Sequence, residues 1–162
     1  MRVISVDPGY ERLGVAVLDG PTGNETYIYA TCIQTSPQTP HAKRLAHIHT
    51  EFEDLLQTYK PDICASETLY ANYNQKTVIQ VSESRGVLLA AAANHNLQIE
   101  EYTPGQIKAA VTGHGNSDKQ QVTTIVQRLV SLPDKKRYDD EYDAIAVGIT
   151  ALASSQAHIY TS

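Results

Sequence analysis

Four acidic residues stand where a fold could hold a carboxylate out at its edge: Asp7, Glu67, Asp140 and Asp143. Asp7 closes the apolar run Val3-Ile4-Ser5-Val6 and precedes Pro8-Gly9, a turn pair that keeps its carboxylate accessible. Glu67 closes a second short apolar run, residues 62–66. If the two runs are adjacent parallel strands, both carboxylates reach the same sheet edge. Asp140 and Asp143 are spaced i, i+3 near the start of a helical pattern and share one helix face. Each acid also has a plainer reading: a turn-forming Asp, a solvated loop Glu, and acids that complement a helix N-terminus. Taken together they point to chemistry. Four clustered carboxylates raise one another's pKa unless a cation intervenes. Hard divalent ions resolve that, and Mg²⁺ prefers oxygen ligands. Two such ions about 4 Å apart suit in-line phosphodiester hydrolysis, with one activating water and the other stabilising the leaving 3′ oxygen. Mn²⁺ is the natural substitute.

The elements that must position these acids follow from periodicity. Residues 2–6, 13–18 and 26–33 read as three strands with short joins, which suggests an antiparallel meander. A helix over about 41–59 carries Leu45, Ile48, Phe52, Leu55, Leu56 and Tyr59 at helical spacing and stops at Pro61. The strand at 62–66 follows, then a long helix over about 75–94 with Gly86 inside it, where a small residue allows close packing. A fifth strand is expected at 98–102. Thr103-Pro104 starts a short helix with an N-cap hydroxyl and a first-position proline. The glycine loop Gly113-His114-Gly115-Asn116 leads into a helix over about 118–132, and the last helix runs over about 139–155. This order predicts one α/β domain over the whole chain: a mixed five-stranded sheet flanked by helices on both faces.

Composition sets bounds. With 162 residues, 41% of them apolar, the chain can bury a real core. No apolar run approaches the ~20 residues of a membrane span. The chain opens without a signal-peptide layout, and Cys32 and Cys64 sit singly in apolar stretches, so a reduced, cytoplasmic protein is expected. The net charge of −5 weighs against a nucleic-acid partner, but its distribution does not. Residues 76–137 hold eight Lys or Arg against five Asp or Glu, and the four candidate metal-binding acids all lie outside that stretch.

With its acids and motifs in this order, the chain resembles the RuvC family of Holliday junction resolvases, within the RNase H-like fold. The likeness runs from Arg2 to about Leu152. Asp7-Pro-Gly, Glu67 and Asp140-x-x-Asp143 stand where that family keeps its four metal-binding acids. Residues 111–122 resemble its glycine-rich loop and following helix, and Ser84-Arg85-Gly86 its central-helix motif. The resemblance implies a Mg²⁺-dependent homodimeric endonuclease that cuts two opposed strands of a four-way DNA junction. It also implies action beside a RuvA–RuvB branch-migration machine. Tyr70 matches an aromatic that the family uses to stack or wedge at the junction centre, and Tyr73 is a second candidate. Lys108 and Lys119 match lysines linked there to DNA contact and catalysis. Arg85 could hold phosphate or support Glu67. Lys135-Lys136-Arg137 could hold an arm strand, though such a run is commonly a solvated face. By analogy, the helix bearing Val78, Val81, Val87, Leu88 and Leu89 forms the dimer interface, although the same residues could simply cover their own sheet.

Three other protein classes share parts of this pattern. A YqgF-like RNase H-fold nuclease in RNA processing shares the first Asp and the strand-end Glu, but has a single late Asp in a different setting. The group of actin, heat-shock ATPases and sugar kinases also opens on Asp-x-Gly, but needs two domains and about twice this length. A catalytically inactive junction-binding protein would have lost acids that this chain retains.

Overall fold

The computed structural model describes residues 1–21, 23–69 and 75–159. Five strands form one sheet: β1 (Arg2–Asp7), β2 (Arg12–Asp19), β3 (Thr26–Gln34), β4 (Ile63–Glu67) and β5 (Gln98–Tyr102). Five helices accompany them: α1 (His41–Tyr59), α2 (Gln75–Asn94), α3 (Pro104–Thr112), α4 (Lys119–Leu129) and α5 (Asp139–Ile159). The expected element order is met throughout. The sheet order is β3-β2-β1-β4-β5. β1, β2 and β3 form the antiparallel meander, and β1, β4 and β5 run parallel.

Strand alternation divides the core in two. In β1, Ile4 and Val6 face one side of the sheet, where Ile48, Phe52 and Leu56 of α1 and Leu88, Ala91 and Ala92 of α2 cover them. Val3 faces the other side, against α5 residues Ala144 to Leu152 and the apolar sides of α3 and α4. Ser5 points the same way, its hydroxyl donating to the Ala144 carbonyl at 2.7 Å. α5 lies unusually close to the sheet, and two glycines permit it. A Cβ on Gly14 would fall 1.9 Å from the Asp140 carbonyl oxygen, and one on Gly148 would fall 2.5 Å from Leu18 Cδ1.

Two expectations for α2 change. Gly86 does not allow close packing within the chain, because a Cβ there would meet nothing within 4 Å. Leu88 is fully buried and Val81 packs against the same core, so both cover their own sheet. Ile79 is the large apolar residue that this helix leaves exposed, at 58%. No helix among the described residues is long and apolar enough to cross a membrane.

Candidate active site

β1 and β4 are parallel neighbours, with Val6 opposite Ser66, so their last residues, Asp7 and Glu67, end side by side. Across the antiparallel pair, Asp7 stands opposite Gly14. Gly14 is also where the first turn of α5 comes against the sheet. A missing side chain on β2 therefore brings Asp140 and Asp143 toward Asp7. The four acids line one open cleft, with Pro8, Gly9, Arg12, Thr68 and Lys119 also on its walls.

Lys119 enters the cleft from α4. Gly113, in the left-handed region at φ 81°, ends α3, and Asp118 caps α4 by accepting from the Gln121 N–H. Lys119 is thus the first helical residue of α4. Its ammonium donates to Asp143 Oδ2 at 2.8 Å and stands 3.9 Å from Asp139. Lys108 shares a neighbouring hollow with Glu67, Lys119 and Asp143.

The electrostatics are those of an acid cluster short of positive charge. Burial pushes the Asp7 carboxyl well above the ordinary carboxylate range, and the charges of Asp143, Glu67 and Asp140 push the same way. Glu67 is raised by burial and then by Asp143, against the pull of Lys108 and Lys119. Burial also raises Asp143, even though Lys119 hydrogen-bonds it. Burial alone would lower Lys119, but its bond to Asp143 and the surrounding acids raise it instead. Asp140 Oδ2 is buried and receives no hydrogen bond, its nearest cation being Arg12 Nε at 3.4 Å.

Other expected site residues fall elsewhere. Arg85 does not support Glu67. It is ion-paired with Glu101 of β5. Tyr70 and Tyr73 lie outside the described residues. The basic run 135–137 is not simply a solvated face. Arg137 is nearly fully buried and donates to the Pro133 carbonyl at 2.7 Å. Lys135 Nζ reaches the Ala30 carbonyl at 3.2 Å and Glu141 Oε2 at 3.2 Å. Glu141, 4% exposed, is thereby strapped to β3, and the strap fixes the rotation of the turn carrying Asp140 and Asp143.

Sequence reasoning did not pick out Arg12, Gly14 or Glu141. A glycine in a strand of otherwise larger residues is a signal of close backbone approach, and it would have singled out Gly14. Arg12 meets Asp140, and Lys135 carries Glu141 to Ala30, in each case across more than a hundred positions, and no local pattern marks that.

The sheet order and the two helical layers define the class first: an RNase H-like fold with an acidic cleft at the end of its central strands. The chain belongs to the RuvC family of crossover junction endodeoxyribonucleases, whose family model matches residues 3–151. Two curated RuvC proteins illustrate the likeness. That of Thermosipho melanesiensis is 43% identical over 147 residues, covering 91% of this chain and 94% of the relative. That of Caldicellulosiruptor saccharolyticus is 36% identical over 162 residues, covering 99% and 97%. The structure of T. thermophilus RuvC in complex with Holliday junction substrate superposes with a TM-score of 0.92 at 26% identity, covering 98% of this chain and 96% of that one. Neither the RNA-processing alternative nor the inactive one is favoured by these matches.

Proposed function

We propose that this chain resolves Holliday junctions by metal-dependent phosphodiester hydrolysis at the cleft formed by Asp7, Glu67, Asp140 and Asp143. The observation that carries the reading is that three separate elements, β1, β4 and α5, deliver these four carboxylates to one cleft.

The donor set suits hard divalent cations. It is all carboxylate oxygen, it holds raised pKa values that a cation would relieve, and Asp140 Oδ2 is buried without a donor. No group of three or more His, Cys, Asp or Glu among the described residues forms a ready-made metal cage. Lys119 and Arg12 lie against two of the acids instead, so loading the site requires these cations to give way. We assign the ligand role to the four acids and two Mg²⁺ ions to each site, with Mn²⁺ as a substitute. When bound, such ions supply activation of water and neutralise charge at the leaving 3′ oxygen.

The chain's own groups do the rest. Lys119 and Lys108 offer positive charge beside Glu67 and Asp143, where a phosphate oxygen would approach. The Asp118-capped start of α4 presents backbone N–H groups next to them. Arg85, tied to Glu101, remains a candidate phosphate contact from α2. Tyr70 and Tyr73, a few residues past Glu67 in sequence, are assigned to stacking at the junction centre.

A four-way junction is two-fold symmetric at its cut strands, so a homodimer with two cleft sites is the fitting assembly. The outward face of α2, with exposed Ile79 and open Gly86, is its proposed seat. A cytoplasmic setting and a RuvA–RuvB branch-migration complex as functional partner complete the proposal.

The test is incubation with a synthetic four-way junction and Mg²⁺. Paired, symmetrically placed nicks in opposed strands support the reading. Cleavage of RNA in preference to the junction would overturn it.

A further inference from the structure

Among the described residues lining the acidic cleft, two are cations, and only one is committed. Lys119 is held by Asp143 at 2.8 Å. The Arg12 guanidinium makes no hydrogen bond to another described residue. Its Nε stands 3.4 Å from Asp140 Oδ2, and its side chain is 54% exposed. Strand alternation sends it to the cleft. Leu13 packs into the core under α1 and α2, so Arg12 and Gly14 face the side that receives α5. There the guanidinium lies 5.8 Å from the centre of the Tyr138 ring, itself 42% exposed, which holds the planar group without consuming its N–H donors.

We propose that Arg12 is a phosphate-contacting residue of this cleft. It rests on Asp140 and Tyr138 in the free protein and hydrogen-bonds a phosphodiester oxygen of the junction strand when that strand enters. The inference rests on the junction-cleaving reading above and gives Arg12, which that reading treats only as a cation displaced by metal, a role toward the substrate. Three features carry it. The guanidinium is a flat fork of donors matched to phosphate oxygens. Its present partner is held too loosely to saturate it. Its place at Asp140, with Lys119 at Asp143, puts one cation beside each of the two α5 acids that line the cleft, so a bound phosphate meets charge at both.

The experiment compares wild type, Arg12→Gln and Arg12→Lys. Junction binding is measured in Ca²⁺ across a salt series, and single-turnover cleavage in saturating Mg²⁺. Arg12→Gln is expected to lower the slope of log K against log salt by about 1 and to slow cleavage at least tenfold. Arg12→Lys should restore the slope, because charge is kept, but not the full rate, because the fork is lost. An unchanged slope and rate in Arg12→Gln would overturn the proposal, as would a variant that merely binds Mg²⁺ more tightly in a thermal-shift titration. That last result would make Arg12 only a counter-charge for Asp140. Wild-type protein that fails to nick the junction would sink the underlying reading instead, while the salt slope would still decide Arg12.

Discussion

Asp7 is the most heavily loaded of the four acids, buried and facing three other carboxylates. Such a group is kept at the expense of stability. Asp7→Asn keeps the shape and removes the charge, so it should abolish cutting while leaving junction binding intact. It should also raise the melting temperature of the metal-free protein by about 2–4 °C, the shift that roughly 1 kcal/mol produces at this size. Gel-shift, nicking and thermal-melt assays on one preparation check all three, and normal cutting by the variant would refute the site assignment. The raised pKa values of Asp7, Glu67 and Asp143 set a pH dependence. Between the ordinary carboxylate range and the raised folded values, the native state binds more protons than the unfolded chain. Stability of the metal-free protein therefore falls as pH rises through that window. A divalent cation relieves the repulsion, so its affinity should climb across the same window and its binding should release protons. Melting curves with and without Mg²⁺ at several pH values measure this, and a metal-induced gain that stays flat with pH would contradict it.

At the scale of elements, the site depends on how α5 is seated. Gly14 leaves room for the Asp140 carbonyl, and Glu141 is gripped from the other side by Lys135 and Arg137. Gly14→Ala must push the first turn of α5 off the sheet, because the atoms it meets are backbone and cannot rotate away. The expected cost is about 1–3 kcal/mol, with cleavage falling further than stability because Asp140 and Asp143 move together. Glu141→Ala strands the buried Arg137 guanidinium and should cost on the order of 3 kcal/mol, read as a lower melting temperature. These two positions also mark where sequence legibility stopped. Asp7, Glu67 and the Asp140-x-x-Asp143 pair were readable because strand ends and helical spacing are local signals. The same holds for the helix bounds at 41–59, set by apolar periodicity and by Pro61. The Gly14 contact, the Glu141 strap and the Arg85–Glu101 pair join residues far apart in the chain, and only the folded sheet brings them together. The run 135–137 misled for the same reason. Lys135 and Lys136 are indeed exposed, but Arg137 looks solvent-bound only until α5 and β3 are seen to close over it.

For the whole molecule the open question is how two sites come to act on one junction, and Gly86 offers the means to ask. A glycine inside an exposed helix costs about 1 kcal/mol relative to alanine. Within one chain nothing is gained in return, since a Cβ at this position meets no atom within 4 Å. If the chain worked alone, Gly86→Ala would simply stabilise it, and Gly86→Leu would be tolerated. If a second copy packs across α2, the glycine is explained by backbone approach at the two-fold axis. Larger side chains there would then force the copies apart, and exposed Ile79 would lose its cover. The dimer predicts that Gly86→Leu shifts the protein toward monomer in sedimentation or light scattering, with the melting temperature of each subunit nearly unchanged. It further predicts that junctions are then nicked in one strand without the matching second nick, because each cleft keeps its own acids but loses its paired partner. A Gly86→Leu protein that stays dimeric and still delivers paired nicks would move the interface away from this face of α2.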